Sequence, residues 1–155
     1  MHIIKRTAVV AAATVGLLLT ANSAMAVAWF SQSSPLKVYE DDGVTQGAGY
    51  GNFYNASGVY ARNATNRKDY KPGGDGIFVD TKFYWYQNAS GEGWGFYQFG
   101  SDQTGRTTSG KWVAENSQKP LVADATQARA HIKVCEDHSW SWDPCSSTVL
   151  RTFSY

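Results

Sequence analysis

Apolar and polar residues alternate with a period of two through several short stretches of this chain, which predicts strands rather than helices. Ala128, Ala130, Ile132 and Val134 fall on one side of such a stretch. Arg129, His131 and Lys133 fall on the other, so the period turns His131 toward solvent. From Val79 to Tyr86 partial alternation runs into an aromatic cluster, the composition of a central strand. Turn residues from Asn88 to Gly93 follow, and Trp94 to Phe99 returns, giving the clearest hairpin in the chain. Near the end, Val149, Arg151, Phe153 and Tyr155 share one face of a strand that closes an edge. Shorter candidates at Leu36 to Tyr39, Ser57 to Ala61 and Lys111 to Ala114 bring the count to about seven strands.

Between these segments the polar and glycine-containing stretches read as connections. The region from Gly43 to Tyr60, with Gly47, Gly49 and Gly51 at alternate positions, is expected to form a wide turn or bulge. It lacks the lysine and hydroxyl residue that a phosphate-binding loop requires. Lys71 to Gly76 is a second turn, Gly100 to Gly110 a loop and Asn116 to Pro120 a further turn. Alanine and glutamine permit a helix over Ala123 to Ala130, but the β-branched continuation favours a strand. Many short strands joined by such turns predict an all-β fold, a small antiparallel β-sandwich in preference to a barrel.

The first residues carry a separate signal. Lys5 and Arg6 precede an apolar run from Ala8 to Leu19, and Ala24-Met25-Ala26 offers small residues for processing. The run is short for a membrane span, so residues 1–26 are expected to be a secretory signal peptide, residues 27–35 an N-terminal arm, and residues 36–155 a single β domain. Loss of Lys5 and Arg6 lowers the formal charge of +1 by two, leaving almost no net field. Neither nucleic-acid binding nor membrane insertion is indicated, and an extracellular location is expected.

An oxidising compartment makes Cys135 and Cys145 a structural disulfide, closing a short loop worth about 2–3 kcal/mol by the chain-entropy estimate. The two thiols with His131 and His138 do not have the spacing of a zinc finger or ribbon, and Asp75 and Asp80 fall short of a calcium loop. No metal and no cofactor are expected. His131 or His138 with Asp137, Asp143 and a serine have the residue types of a hydrolase, but no nucleophile elbow orders them. Glu92, Glu115 and Glu136 could pair for glycoside hydrolysis only if two met across a cleft. The chain is read as non-enzymatic, with no catalytic residue.

Six tryptophans, nine tyrosines and seven phenylalanines carry more information than the acids. Many must build the core, yet Tyr84, Trp85 and Tyr86 are consecutive, and a strand cannot hide all three on one side. Tyr84 and Tyr86 share one face and Trp85 the other, making the cluster a candidate for partner binding against the alternative of simple packing. Trp29 and Phe30, ahead of a serine-rich connection, form the second candidate. They are either a self-packed edge strand or an arm that enters a partner groove.

The segment Val134-Cys135-Glu136-Asp137-His138-Ser139-Trp140-Ser141-Trp142-Asp143-Pro144-Cys145 resembles the V-C-x-D-x-S-W…D-x-C ending of small secreted proteins from actinobacteria. Some of these resemble adaptor subunits of umbrella-shaped toxin particles, in which a small β domain links a repeat-bearing toxin scaffold to a lectin-like subunit. The resemblance implies that Cys135 and Cys145 form the structural bridge, that Trp140 packs beside it, and that the role is adaptation rather than catalysis. Trp140 and Trp142 are accordingly expected to be structural aromatics of the loop. A non-catalytic secreted adaptor with an extracellular protein partner is the reading this favours. A cell-wall or carbohydrate-binding module and an enzyme inhibitor are the alternatives.

Overall fold

The computed structural model describes residues 26–139 and 141–155. Residues 1–25, where a signal peptide is expected, and Trp140 lie outside the described residues. The strands are β1 (Val27–Phe30), β2 (Leu36–Tyr39), β3 (Thr45–Ala56), β4 (Tyr60–Asp69), β5 (Ile77–Ala89), β6 (Gly93–Gln103), β7 (Val113–Pro120), β8 (Gln127–Glu136) and β9 (Val149–Ser154). They form two antiparallel sheets, a β-sandwich. One sheet runs β1-β3-β4-β7 with β2 also paired to β3, and the other runs β6-β5-β8-β9. Cys135 and Cys145 are joined by a disulfide.

The alternation on β8 places Ala128, Ala130, Ile132 and Val134 in the core, and β5 contributes Ile77, Val79, Phe83 and Trp85 to the same side. Both strands are interior to their sheet, and their inward rows are apolar except at Thr81. The opposing sheet is built differently. The inward row of β4 reads Ala61, Asn63, Thr65, Arg67 and Asp69, all buried. Expectation ended a strand at Ala61 and put a turn at Asn116 to Pro120. Instead β4 begins at Tyr60 and runs to Asp69, and β7 runs through Pro120 beside it. Their shared inner row is polar, so the hydrophobic alternation that marks a strand is missing from both.

Most of those inward polar atoms are hydrogen-bonded, as burial demands, with Arg67 Nη1 and Asp69 Oδ2 left without a partner. Trp29 Nε1 donates to Asn63 Oδ1 at 2.9 Å, Asn63 Nδ2 donates to Thr81 Oγ1 at 2.9 Å, and Ser117 Oγ donates to the same Thr81 oxygen at 3.2 Å. This chain joins β1, β4 and β7 to β5 of the facing sheet. Further along, buried Arg67 pairs with Glu115 and donates from Nε to the Gly105 carbonyl at 2.9 Å, while Gly105 N donates back to the Glu115 carboxylate. The pair fastens the loop that follows β6.

The expected wide turn at Gly47, Gly49 and Gly51 is instead the middle of β3. These glycines are there for space. A Cβ on Gly51 would lie 2.0 Å from the Ala64 carbonyl oxygen and 2.8 Å from Trp29 Nε1, and one on Gly49 would lie 3.2 Å from Trp29 Cη2. A groove without side chains is thereby opened along β3, and the Trp29 indole lies in it, 1% exposed. Phe30, one position on, faces outward at 36%.

Trp29→Ala should therefore cost about 3–5 kcal/mol, from the vacated volume together with an unpaired Asn63. Gly51→Ala should destabilise by roughly 1–3 kcal/mol or more through overpacking against backbone. Urea denaturation followed by tryptophan fluorescence measures both. A loss under about 1 kcal/mol for Trp29→Ala would contradict the core assignment. Opening the disulfide with Cys145→Ser should remove about 2–3 kcal/mol, read in the same way.

Candidate functional site

The segment expected as an N-terminal arm or a self-packed edge strand is the edge strand, tied to the body on both sides. β1 pairs with β3 through Val27↔Phe53 and Ala28↔Asn52, and Arg151 of β9 donates to the Ala28 carbonyl at 2.7 Å and the Trp29 carbonyl at 3.2 Å. As partner-binding residues, Trp29 and Trp85 are corrected to the core, at 1% and 0% exposure. The reason is size: each indole fills an interior position that no smaller side chain would fill. Trp142, expected to pack within the disulfide loop, is 96% exposed. No described neighbour strand covers that part of the loop, which lies outside the paired segments.

Tyr84 and Tyr86 lie where the strand period puts them, on the outer face of the β6-β5-β8-β9 sheet. The register places Phe96 opposite Tyr86 and Trp94 opposite Asn88, so the hairpin lengthens the aromatic row outward from β5. The Tyr86 ring stacks on Trp94 at 5.7 Å between centroids and tilts against Phe96 at 5.0 Å. Arg129 of β8 places its guanidinium 3.6 Å over the Phe96 ring. Beside this ladder Tyr84 stacks on His131 at 4.1 Å. Trp94 is 57% exposed at the tip of the row.

The same outer positions of β5 and β8 carry Lys82, Arg129 and Lys133 against the single carboxylate of Asp80. The face is thus aromatic at the hairpin end and basic in its middle. Burial lowers the His131 pKa, and the neighbouring charges of Arg129 and Lys82 lower it further. Phe99 departs from the pattern. The register slips between Phe83 and Tyr84, leaving Phe99 as the extra residue of a bulge. Its ring turns to the inner side and stacks on Trp85 at 5.2 Å.

At the opposite end of the sheet, an acidic cleft is lined by Glu40, Asp41, Asp42, His138 and Asp143, with Trp142 on its rim. His138 Nε2 lies 3.1 Å from Glu136 Oε2, and His138 Nδ1 lies 3.0 Å from Ser141 Oγ. Burial pushes the Glu136 carboxyl up from its ordinary value, the charges of Glu40 and Asp75 adding to the effect and the His138 hydrogen bond opposing it. Sequence reasoning had named His138 and Glu136 separately. It had no signal for Glu40, which comes from the far end of β2.

The lowered His131 pKa predicts a pH dependence. The unfolded chain binds this proton more readily than the folded one, so stability is lost as pH falls below about 6.5 toward the native value. His131→Gln should remove that component. Comparing urea midpoints of the two proteins at pH 7.5 and 5.5, with the wild type losing more, checks the sign. The chain matches no protein-family model, no curated protein and no solved structure, so its function has to be argued from this geometry.

Proposed function

We propose that the protein is a secreted, non-catalytic adaptor that binds an extracellular protein partner through the outer face of β5, β6 and β8. The observation that supports this is the ladder of Trp94, Tyr86, Phe96 and Arg129 on an open sheet face. Tyrosine, tryptophan and arginine are the side chains that dominate protein recognition, because each buries a large area with little loss of conformational freedom. Here the Tyr86 and Phe96 rings are held by their neighbours before any partner arrives. Their faces are largely occupied within the ladder, which favours contact with protein side chains over stacking of sugar rings. Lys82, Arg129 and Lys133 suit a partner surface that is acidic.

Secretion is read from the leader, and a disulfide accords with an oxidising compartment. The resemblance of the Cys135 to Cys145 segment supports the narrower reading of a link between a toxin scaffold and a lectin-like subunit. With Trp29 in the core, such a link uses the sheet face in place of the N-terminal segment.

Tyr86→Ser and Trp94→Ser should each weaken binding to the partner recovered from the native secretome by about 2 kcal/mol, roughly thirtyfold. Circular dichroism should stay unchanged, since both side chains lie outside the core. Affinity is measured by calorimetry or surface resonance, with increasing salt expected to slow association. Equal affinity for wild type and both variants would reject this face. Retention on purified cell wall, lost in Trp94→Ser, would assign a carbohydrate-binding module, and inhibition of a co-purified protease an inhibitor.

A further inference from the structure

Three carboxylates converge on one imidazole at the disulfide end of the sandwich. Glu40 directly follows β2, Asp75 lies in the turn before β5, and Glu136 and His138 stand at the end of β8 and just beyond it. Donor atoms of Glu40, Glu136 and His138 all lie within 4.8 Å of one another. His138 Nε2 is 3.1 Å from Glu136 Oε2 and 3.8 Å from Asp75 Oδ2. Atoms bound ~2.0–2.2 Å from a tetrahedral ion stand ~3.3–3.6 Å apart, and the two His138 distances bracket that range.

Two further observations go beyond proximity. Ser141 Oγ meets His138 Nδ1 at 3.0 Å, and when that nitrogen carries the proton, Nε2 turns a lone pair toward the carboxylates. Anchoring the remote ring nitrogen in this way is how proteins orient a ligating histidine. Glu136, in turn, is 6% exposed, and among the described residues His138 is its side-chain hydrogen-bond partner. A buried carboxylate with one such contact, facing the like charges of Glu40 and Asp75, is short of positive charge. Arg106, close by in the fold, is engaged by Asp137 at 3.0 Å.

We propose that Glu40, Glu136 and His138 bind a divalent transition cation, zinc being the ion this donor set fits, and that Asp75, 3.8 Å from His138 Nε2 and outside that three-residue group, swings in as the fourth ligand. An imidazole among carboxylates suits zinc, whereas calcium and magnesium take oxygen ligands throughout. The ion would fasten the end of β2 and the turn before β5 to the disulfide loop. It would thereby steady the loop that carries Trp142. Expectation from sequence was that no metal is bound, because the ligands come from three separate segments and match no spacing rule. The site is independent of the aromatic face. Nine residues of extended β5, on the order of 30 Å, separate Ile77 opposite Glu136 from Tyr86 opposite Gln127.

The test uses the intact, disulfide-bonded protein, stripped with a chelator and titrated with zinc sulfate against a chromophoric competitor. One equivalent of zinc should bind with micromolar or tighter affinity, raise the thermal midpoint and shift the His138 imidazole nitrogen resonances. His138→Gln and Glu136→Gln should each weaken uptake at least about tenfold, while His131→Gln and Trp94→Ser leave it unchanged. Glu40→Gln, at a less buried position, gives a variant whose fold is not at risk and should also weaken uptake. Absence of stoichiometric zinc uptake by the wild type overturns the proposal, as does equal uptake by all three ligand variants. A midpoint lowered by Glu136→Gln with no zinc bound to the wild type would identify an internal Glu136–His138 ion pair instead.

Discussion

The Trp29 indole, set in the glycine groove of β3 with its N–H on Asn63, is the contact on which the sandwich depends. Apolar burial alone would hold two sheets together without fixing how they sit, since it has no direction. Asn63 adds direction because its amide must accept from Trp29 and donate to Thr81 at the same time. Any slide of one sheet over the other would break a bond inside a medium where an unmet polar group costs about 1–3 kcal/mol. Ser117 completes the set by donating to Thr81 from β7. In one buried line, four strands are held in register.

That arrangement explains why the two sheets have such different inner rows. The β5 and β8 rows supply the apolar mass, with Val79, Phe83, Trp85 and Ile132 among it. The β4 and β7 rows supply polar specificity, continued by Arg67 and Glu115 to the loop after β6. Removing Glu115 would leave the buried Arg67 charge without its carboxylate, so the pair constrains structure whatever its net contribution to stability. The core therefore sits toward the β1, β2 and β9 side, and the β4–β7 side closes through hydrogen bonds.

With the interior settled, two surfaces carry the chemistry. The aromatic face follows from a strand that is paired on both edges yet covered on one face only, so Trp85 faces inward while Tyr84 and Tyr86 face out. Cross-strand stacking with Trp94 and Phe96 then holds the rings in place. The acidic cleft follows from chain ends meeting: β2 stops at Tyr39, β8 stops at Glu136, and the disulfide turns the chain back beside them. The aromatic face is displayed by strands the core has already fixed, whereas the cleft is lined by the segments that follow β2 and β8.

The amino-acid sequence by itself determined the all-β class, the Cys135–Cys145 bridge, the β5–β6 hairpin and the opposite facing of Tyr84 and Trp85. Each of these rests on local rules, either a period of two or a pair of cysteines with no other partner. Tertiary structure alone decided that Gly47, Gly49 and Gly51 belong to a strand, because Gly49 and Gly51 make room for an indole from β1 and Gly47 for Ile77 of β5, which no local pattern reveals. It likewise decided β4 and β7, whose inward Asn63, Thr65, Arg67 and Ser117 read as surface until their partners are known. The choice between arm and packed edge strand for Trp29 fell to the core, and Trp142 went from the loop interior to near-full exposure, for the same reason. A side chain's burial depends on what the rest of the chain brings to it, and Glu40 reaches His138 only because the fold carries β2 to the end of β8.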